Sequence, residues 1–201
     1  GTRSFWEQRL DADWTVSGVG YQALGRPFNE WMYRVRQEVF LREVARSGLA
    51  TTTADVLDVG SGTGFYIRCW QHLGAASVTG CDLTEAAVER LRERFPGVRF
   101  VRADISAGDG ALPQQSFDAA SCMDVLFHIT DDDRYVAALR SIARVLRPGG
   151  FFVLSENFLH RDVQRGDHQV NRPLSWITDE LASAGFEVVR RVPMLALMNA
   201  Q

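Results

Sequence analysis

The sequence predicts an α/β fold, a three-layer sandwich in which helices cover both faces of a mainly parallel sheet. The main observation is a unit that recurs along the chain: a short apolar run, then glycine, then a stretch with helical periodicity. The 201 residues contain no internal repeat and no long linker, and this length suits one domain with one core. We therefore expect a single domain over residues 1–201, with 1–50 as an N-terminal helical cap or lid and 51–201 as the core.

Six strands are predicted from short apolar runs that are bounded by turn residues. They span residues 56–59, 77–81, 98–102, 117–123, 151–155 and 186–191. Five helices are predicted from apolar residues at helical spacing. They span residues 28–46, 65–73, 85–95, 134–146 and 174–184. The sequence Pro148-Gly149-Gly150 predicts a turn before the fifth strand.

The composition argues against several classes of function. Acidic residues exceed basic residues by three, and the chain contains no lysine, which excludes lysine Schiff-base chemistry. The charge balance disfavours a nucleic acid or an anionic membrane as partner. No apolar run reaches the length of a membrane-spanning helix. Cys69, Cys81 and Cys122 lie among apolar residues without metal-type spacing, so we expect buried free thiols in a cytoplasmic protein and no metal site.

Residues 56–64, VLDVGSGTG, carry the first functional signal. Three alternate glycines turn the chain between a strand and a helix, which lets a ligand lie against the main chain and near the free N–H groups of the helix. A dinucleotide pattern Gly-x-Gly-x-x-Gly that begins at Gly60 would need glycine at position 65, where Phe65 stands. Asp58 suits a ligand with an ammonium group better than a pyrophosphate. The pattern therefore disfavours a dinucleotide.

Two further acids follow the next two predicted strands. Asp82 can accept hydrogen bonds from both hydroxyls of a ribose, and Asp104 can accept one from the exocyclic amine of adenine. Each acid taken singly is also explained as a helix cap or a turn residue. The carboxyl ends of parallel strands meet at one edge of a sheet, so Asp58, Asp82 and Asp104 together outline an adenosine site.

With these motifs, the sequence resembles the class I, Rossmann-like S-adenosylmethionine-dependent methyltransferases, particularly the small bacterial enzymes that act on metabolites. The matching blocks are VLDVGSGTGFY, GCDLT, RADIS, FDAASCMDVLFHI and LRPGG, across roughly residues 55–155. The resemblance implies S-adenosyl-L-methionine as cofactor, S-adenosyl-L-homocysteine as its product and a small-molecule acceptor with a reacting oxygen or nitrogen. It also implies a sheet of the seven-stranded type, with residues 192–198 as candidates for the seventh strand.

The resemblance assigns cofactor contacts to residues at the strand ends. Asp58 would lie near the amino group of the cofactor, Asp82 would hold the ribose, and Asp104 with Ile105 would flank the adenine. The full implied set is Asp58, Gly60, Ser61, Gly62, Gly64, Phe65, Asp82, Leu83, Asp104, Ile105, Met123 and Asp124.

A general base is needed only if the acceptor holds its proton tightly. His128, just past the fourth strand, is either that base or a positioning residue, and His160 is a second candidate. His168, in the same segment as His160, is a third candidate. The acids Asp131-Asp132-Asp133 precede a helix, where capping explains them better than a metal ion, because consecutive residues rarely converge on one ion.

The N-terminal segment leaves two interpretations open. Its aromatic residues either pack a helix onto the sheet or close over the ligand. The second interpretation assigns that role to Tyr21, Tyr33, Arg34 or Arg36.

Two other functions compete with methyl transfer. One is a non-catalytic relative that binds the nucleoside. The other is a nicotinamide-dependent oxidoreductase, which Asp82 at a ribose position favours and Phe65 in the glycine pattern disfavours.

Overall fold

A five-stranded parallel sheet forms the centre of the computed structural model, which describes residues 2–15, 18, 20, 24–108, 110–160 and 162–194. Its strands are β1 Asp55–Val59, β2 Ser77–Asp82, β3 Arg99–Arg102, β4 Phe117–Cys122 and β5 Leu146–Leu154. Their spatial order is β3-β2-β1-β4-β5, and every neighbouring pair is parallel. The direction of winding reverses between β1 and β4, which is where sheets of this kind bind ligands.

Six helices flank the sheet in the described part of the chain. They are α1 Thr2–Ala12, α2 Gly25–Arg46, α3 Phe65–His72, α4 Glu85–Arg94, α5 Asp132–Val145 and α6 Leu174–Ser183. Short 3-10 turns lie at Thr51–Thr53 and Leu126–His128. The predicted α/β class and the helical N-terminal segment are therefore confirmed.

Alternation along β1 shows why both faces of the sheet need helices. Val56 packs on one face with Phe40 of α2 and Trp70 of α3, whereas Leu57 packs on the other face with Leu139 of α5. A strand that is apolar on both sides is stable only between two helical layers. The α1 helix joins the first of these layers, because Leu10 packs with residues of α3 and α4.

Side-chain caps define where two helices begin. Thr84 accepts a hydrogen bond from the backbone N–H of Ala87 at the start of α4. Asp131 accepts one from the N–H of Arg134 at the start of α5. The predicted capping role of the acidic run before α5 is confirmed for Asp131, and the run also places Asp132 and Asp133 in the first turn, at the positive end of the helix dipole.

One strand prediction near the C-terminus is wrong, and the predicted seven-stranded type of sheet is not observed in the described residues. Residues 186–191, the predicted sixth strand, form no ladder, and the sheet has five strands in the described chain rather than seven. Phe186 still packs its ring on Phe152, but Val188 is 40% exposed and Val189 is 79% exposed. A strand needs a half-buried pleated surface, and this segment buries one side chain only. The candidate seventh strand, residues 192–198, lies mostly outside the described residues.

The predicted turn at Pro148-Gly149-Gly150 lies inside β5. Phe117 of β4 pairs with Leu146, but Ala119 pairs with Phe151, so the β5 side of the ladder holds extra residues at this point. The bulge accommodates the Pro-Gly-Gly sequence while the strand continues.

A small antiparallel hairpin was not predicted. It consists of β6 Gln164–Arg165 and β7 Val170–Asn171 and lies between β5 and α6. None of the helices in the described segments is long and apolar enough to cross a membrane. Within the same segments no group of three metal-binding side chains occurs, and Cys69, Cys81 and Cys122 are buried free thiols.

Candidate functional site

One cavity of about 430 Å³ lies at the carboxyl ends of β1 to β4, beneath the N-terminal helices. Most of the residues predicted to contact a cofactor line it: Gly60, Ser61, Gly62, Phe65, Asp82, Leu83, Asp104, Ile105, Met123 and Asp124. The volume falls within the roughly 300–1,000 Å³ that small-molecule sites occupy. The structure therefore brings the three strand-end segments together around a single hollow.

The glycine-rich loop between β1 and α3 is a tight turn held by backbone hydrogen bonds. The N–H groups of Gly60 and Ser61 both donate to the carbonyl oxygen of Cys81 in β2, at 2.8 and 3.0 Å. Gly64 lies at φ +78°, the left-handed region, and caps α3. Its missing side chain lets the ring of Phe95 and the side chain of Leu91 approach the loop closely. Gly64 thus has a packing role and does not line the cavity.

Asp82, at the tip of β2, organises the loop as well as facing the cavity. Its Oδ1 accepts hydrogen bonds from the N–H and the hydroxyl of Thr84, at 2.9 and 2.8 Å. Its Oδ2 accepts from the N–H of Gly62 at 2.9 Å. A carboxylate offers about four acceptor positions, so three are filled and about one remains for a ligand hydroxyl.

Asp104 follows β3 and is tied to α5. Its Oδ1 accepts from the N–H and hydroxyl of Ser106, and its Oδ2 pairs with Arg134. Partial burial favours the neutral acid, but the hydrogen bonds from Ser106 and the charge of Arg134 outweigh it and hold the pKa of Asp104 below its usual value. A stable carboxylate acceptor therefore stands at this edge of the cavity.

Asp58 lies beneath the loop rather than on the cavity wall. It is 1% exposed, and its Oδ1 accepts a 2.6 Å hydrogen bond from Ser121, which in turn accepts from the indole of Trp70. Its Oδ2 is buried and has no hydrogen-bond partner among the described residues. Burial raises the pKa of Asp58 to about 7, although the hydrogen bonds from Ser121 and Ser61 oppose this shift.

Arg36 of α2 and Asp124, two residues past β4, form an ion pair on the cavity wall. Arg36 is 7% exposed, its guanidinium lies 5.6 Å from the ring of Tyr33, and its Nε has no hydrogen-bond partner among the described residues. Asp124 adopts φ +60° and exchanges hydrogen bonds with the hydroxyl of Ser155. Tyr33 and Arg36, which one of the two interpretations of the N-terminal segment assigned to closing over a ligand, both line the cavity.

His128 lines the cavity at the end away from the glycine loop. Its Nδ1 lies 2.8 Å from the carbonyl oxygen of His168, and because a carbonyl can only accept, Nδ1 carries the proton. The ring of Trp6 meets the imidazole edge-on at 4.8 Å between centroids. Desolvation lowers the pKa of His128 to about 4, and the nearby charge of Arg9 adds to the effect. At neutral pH the imidazole is uncharged, with Nε2 as its basic nitrogen.

The other candidates from the sequence lie elsewhere. His160 is exposed and does not line the cavity, and Leu159 beside it is held in a bridge to Pro173. The predicted role of His160 as a base is therefore not supported. Arg34 is exposed as well, and Tyr21 falls outside the described residues.

Several lining residues were not singled out from the sequence. Arg9 of α1, Met32 of α2 and Gln169 of the β6–β7 hairpin all face the cavity. His168 from the same hairpin, which the sequence offered as a candidate base, lines the cavity as well. The aromatic-rich N-terminal segment was the only signal for the first two. The Arg165-Gly166-Asp167 sequence is a turn signal that indicates a hairpin there.

Curated relatives resemble this chain over much of its length. A protein named "Ubiquinone biosynthesis O-methyltransferase" from Xanthomonas axonopodis pv. citri is 38% identical over 116 residues, 56% of this chain and 47% of the relative. A "Probable S-adenosylmethionine-dependent methyltransferase" from Mycolicibacterium smegmatis is 34% identical over 190 residues, 89% of this chain and 65% of the relative. The chain thus spans between about half and two thirds of the length of these relatives.

A solved structure shares the fold of this chain, and a family model matches the central part of its sequence. The solved structure of a SAM-dependent methyltransferase from Leishmania major shares the fold, with a TM-score of 0.73 at 20% identity, over 93% of this chain and 72% of the other. Residues 56–150 match the model of a family described as a methyltransferase domain. That match runs from β1 into β5 on a sheet of this order, so this region of the chain is a class I S-adenosylmethionine-dependent methyltransferase domain, a family whose cofactor is S-adenosyl-L-methionine and whose cofactor product is S-adenosyl-L-homocysteine.

Proposed function

We propose that the chain binds S-adenosylmethionine in the 430 Å³ cavity and transfers its methyl group to an oxygen or nitrogen of a small-molecule acceptor. The observation that carries the proposal is the meeting of the glycine loop, Asp82, Asp104 and an uncharged His128 around one hollow. The bound cofactor supplies an electrophilic methyl group on a sulfonium, which is already a good leaving group. The protein then mainly has to align the acceptor with that methyl group.

The polar groups around the glycine loop fit the charged part of the cofactor. Arg36 has an unpartnered Nε that suits a carboxylate, and Asp58 has an unpartnered Oδ2 that suits an ammonium group. Buried polar atoms without partners are rare in folded proteins, so these two argue for a ligand that completes them. Asp58 does not line the cavity itself, so this contact requires the glycine loop above it to shift when the ammonium group binds.

The nucleoside part of the cofactor is assigned to the strand tips. Asp82 accepts a hydrogen bond from the ribose at its remaining acceptor position. Asp104 and Ile105 flank the adenine, and Leu83 provides apolar surface for it, whereas Met123 and Asp124 lie beside the methionine part of the cofactor. The α1 and α2 helices, within residues 1–50, form the lid that we expect over this site.

The acceptor binds at the His128 end of the cavity. Nε2 of His128 takes the proton of the reacting hydroxyl or amine, and the hydrogen bond from Nδ1 to His168 holds the ring in the tautomer that this step needs. An imidazole with a pKa near 4 is a weak base, so it suits an acidic hydroxyl better than an alcohol. The name of the Xanthomonas relative, which refers to ubiquinone biosynthesis, is consistent with an aromatic acceptor.

The proposal is tested by ligand binding and turnover. Calorimetry should detect binding of S-adenosylhomocysteine, and NAD should give no heat and no change in melting temperature. Binding of the nucleoside without turnover of S-adenosylmethionine over a broad panel of phenols and amines would favour a non-catalytic relative instead. A response to NAD alone would favour an oxidoreductase.

Arg36→Met is expected to weaken S-adenosylhomocysteine binding by about tenfold or more, because a charge-assisted hydrogen bond to the carboxylate is lost. Binding of 5′-methylthioadenosine, which lacks the amino-acid part, should change much less. The ratio of the two affinities, measured by calorimetry for wild type and variant, isolates the carboxylate contact. An equal loss for both ligands would show that the substitution acts through Asp124 or the fold rather than the carboxylate.

His128→Gln is expected to lower kcat by about 100-fold or more while S-adenosylhomocysteine affinity stays unchanged, because a general base contributes to the chemical step alone. The measurement is kcat on the best acceptor of the panel. His160→Gln is the matched control, since His160 is exposed and outside the cavity.

The pH dependence gives a second readout for His128. Its folded-state pKa of about 4 lies below the ordinary 6.5, so the unfolded chain binds the proton more tightly. The stability that depends on His128 is therefore present above pH 6.5 and lost as the pH falls towards 4. The melting temperature of wild type should fall more over this range than that of His128→Gln. Parallel curves would contradict the lowered pKa.

A further inference from the structure

Two arginines line the cavity, and they differ in how their charge is balanced. Arg36 is paired with Asp124. Arg9 forms no ion pair with any described residue, and instead its Nε and Nη2 donate to the carbonyl oxygens of Gly18 and Gly20, at 2.5 and 2.6 Å. Carbonyl oxygens satisfy hydrogen-bond donors but carry no net charge, so Arg9 brings an uncompensated positive charge to the cavity wall.

Arg9 lies at the acceptor end of the cavity. Its guanidinium is 5.4 Å from the ring of Trp6, and the same ring meets His128 edge-on at 4.8 Å. Burial lowers the pKa of Arg9, and Tyr33 and Asp13 only partly offset this effect. The guanidinium has therefore lost part of its hydration without forming an ion pair with a described residue, and the charge of Asp13 offsets this only in part. A guanidinium in that condition binds a carboxylate strongly.

The surface around Arg9 is aromatic and apolar. Trp6, Tyr33, Phe127 and Ile129 line this end, with His128 as the base candidate among them. The cavity of about 430 Å³ has to hold the cofactor as well, so the acceptor is compact. A flat ring fits between these side chains better than a flexible polar chain.

We infer that Arg9 determines acceptor specificity: it binds an anionic group, such as a carboxylate, on a compact aromatic acceptor whose hydroxyl or amine faces His128. The inference rests on the proposed function, because it assigns the second ligand of the same cavity. The other source of a carboxylate is the cofactor itself, which the test has to separate from the acceptor.

The probes are matched acids and amides, titrated by calorimetry into protein saturated with S-adenosylhomocysteine. The pairs are 3,4-dihydroxybenzoate with 3,4-dihydroxybenzamide, 4-hydroxybenzoate with 4-hydroxybenzamide, and salicylate with salicylamide. At least one acid should bind about tenfold more tightly than its amide, since a charge-assisted contact is lost in the amide. Arg9→Gln should remove that preference and leave S-adenosylhomocysteine affinity within about twofold of wild type. Arg9→Lys, which keeps the charge, should retain part of the preference.

Arg3→Gln is the matched control, because Arg3 lies on the same helix, pairs with Glu7 and does not line the cavity. If the acid binds no better than the amide in all three pairs, the inference is overturned. This comparison uses wild-type protein alone, so it does not depend on whether a variant folds. If Arg9→Gln weakens the binding of S-adenosylhomocysteine as much as it weakens the binding of the acid, Arg9 contacts the cofactor rather than the acceptor. If wild type does not bind S-adenosylhomocysteine at all, the proposed function fails instead.

Discussion

Asp82→Ala is expected to weaken the binding of S-adenosylhomocysteine by at least about 100-fold, a loss of about 3 kcal/mol. The substitution removes the charged acceptor that we assign to the ribose. It also leaves the N–H of Gly62 without the partner that holds it at 2.9 Å, so the glycine loop loses its shape. Ligand contact and pre-organisation are therefore lost together. Calorimetric titration with S-adenosylhomocysteine measures the effect.

Asp82→Asn separates the two contributions. The amide keeps the size of the side chain and one acceptor oxygen, but its NH₂ group cannot accept from Gly62 or from Thr84. We expect an affinity between those of wild type and Asp82→Ala. If the alanine variant binds S-adenosylhomocysteine as wild type does, Asp82 is not a cofactor residue.

Gly64→Ala is expected to reduce the free energy of unfolding by about 2–5 kcal/mol. At φ +78° an L side chain is strained, and an added Cβ would come within 2.7 Å of Cζ of Phe95 and 2.9 Å of Cδ2 of Leu91. Carbon atoms normally approach to about 3.5 Å, so α4 or the loop has to move. Urea denaturation followed by circular dichroism measures the loss.

Gly48→Ala is a matched control for the backbone term. Gly48 has φ +79°, and a Cβ there would meet nothing within 4 Å. We expect Gly48→Ala to reduce the free energy of unfolding by about 1–2 kcal/mol, the cost of the left-handed conformation alone. The difference between the two variants measures how closely α3 and α4 pack at the loop. If the two variants lose the same free energy of unfolding, the ring of Phe95 moves aside at no cost when the Cβ is added at position 64.

The part of the site that the sequence predicted is the part that strand ends determine. Asp82 ends a strand, Asp104 and Met123 each lie just past one, and parallel strands bring their carboxyl ends to the same edge. Their convergence on one cavity follows from strand order alone. Asp58 shows the limit of this reasoning: the sequence indicates that it lies near the end of a strand, but not that its side chain is buried below the loop.

The parts that the sequence did not predict depend on contacts between distant segments. Gln169 reaches the cavity through a hairpin whose two-residue strands are too short for a periodic signal. Arg9 reaches it because α1 packs on α4, where Arg90 donates to the carbonyl oxygen of Leu10. The opposite error occurred at residues 186–191, where strand propensity was present but the segment buried too little surface to form a ladder.

Among the described residues, a single hydrogen bond links the N-terminal segment to the glycine loop: the indole N–H of Trp14 donates to the carbonyl oxygen of Gly62 at 3.1 Å. The N–H of Gly62 is in turn held by Asp82, so Gly62 connects the N-terminal segment to the residue that we assign to the ribose. Under this assignment, thermodynamic reciprocity requires that the anchoring of Trp14 adds to nucleoside affinity as much as the bound nucleoside adds to that anchoring. We therefore expect the indole fluorescence of Trp14 to change when S-adenosylhomocysteine binds.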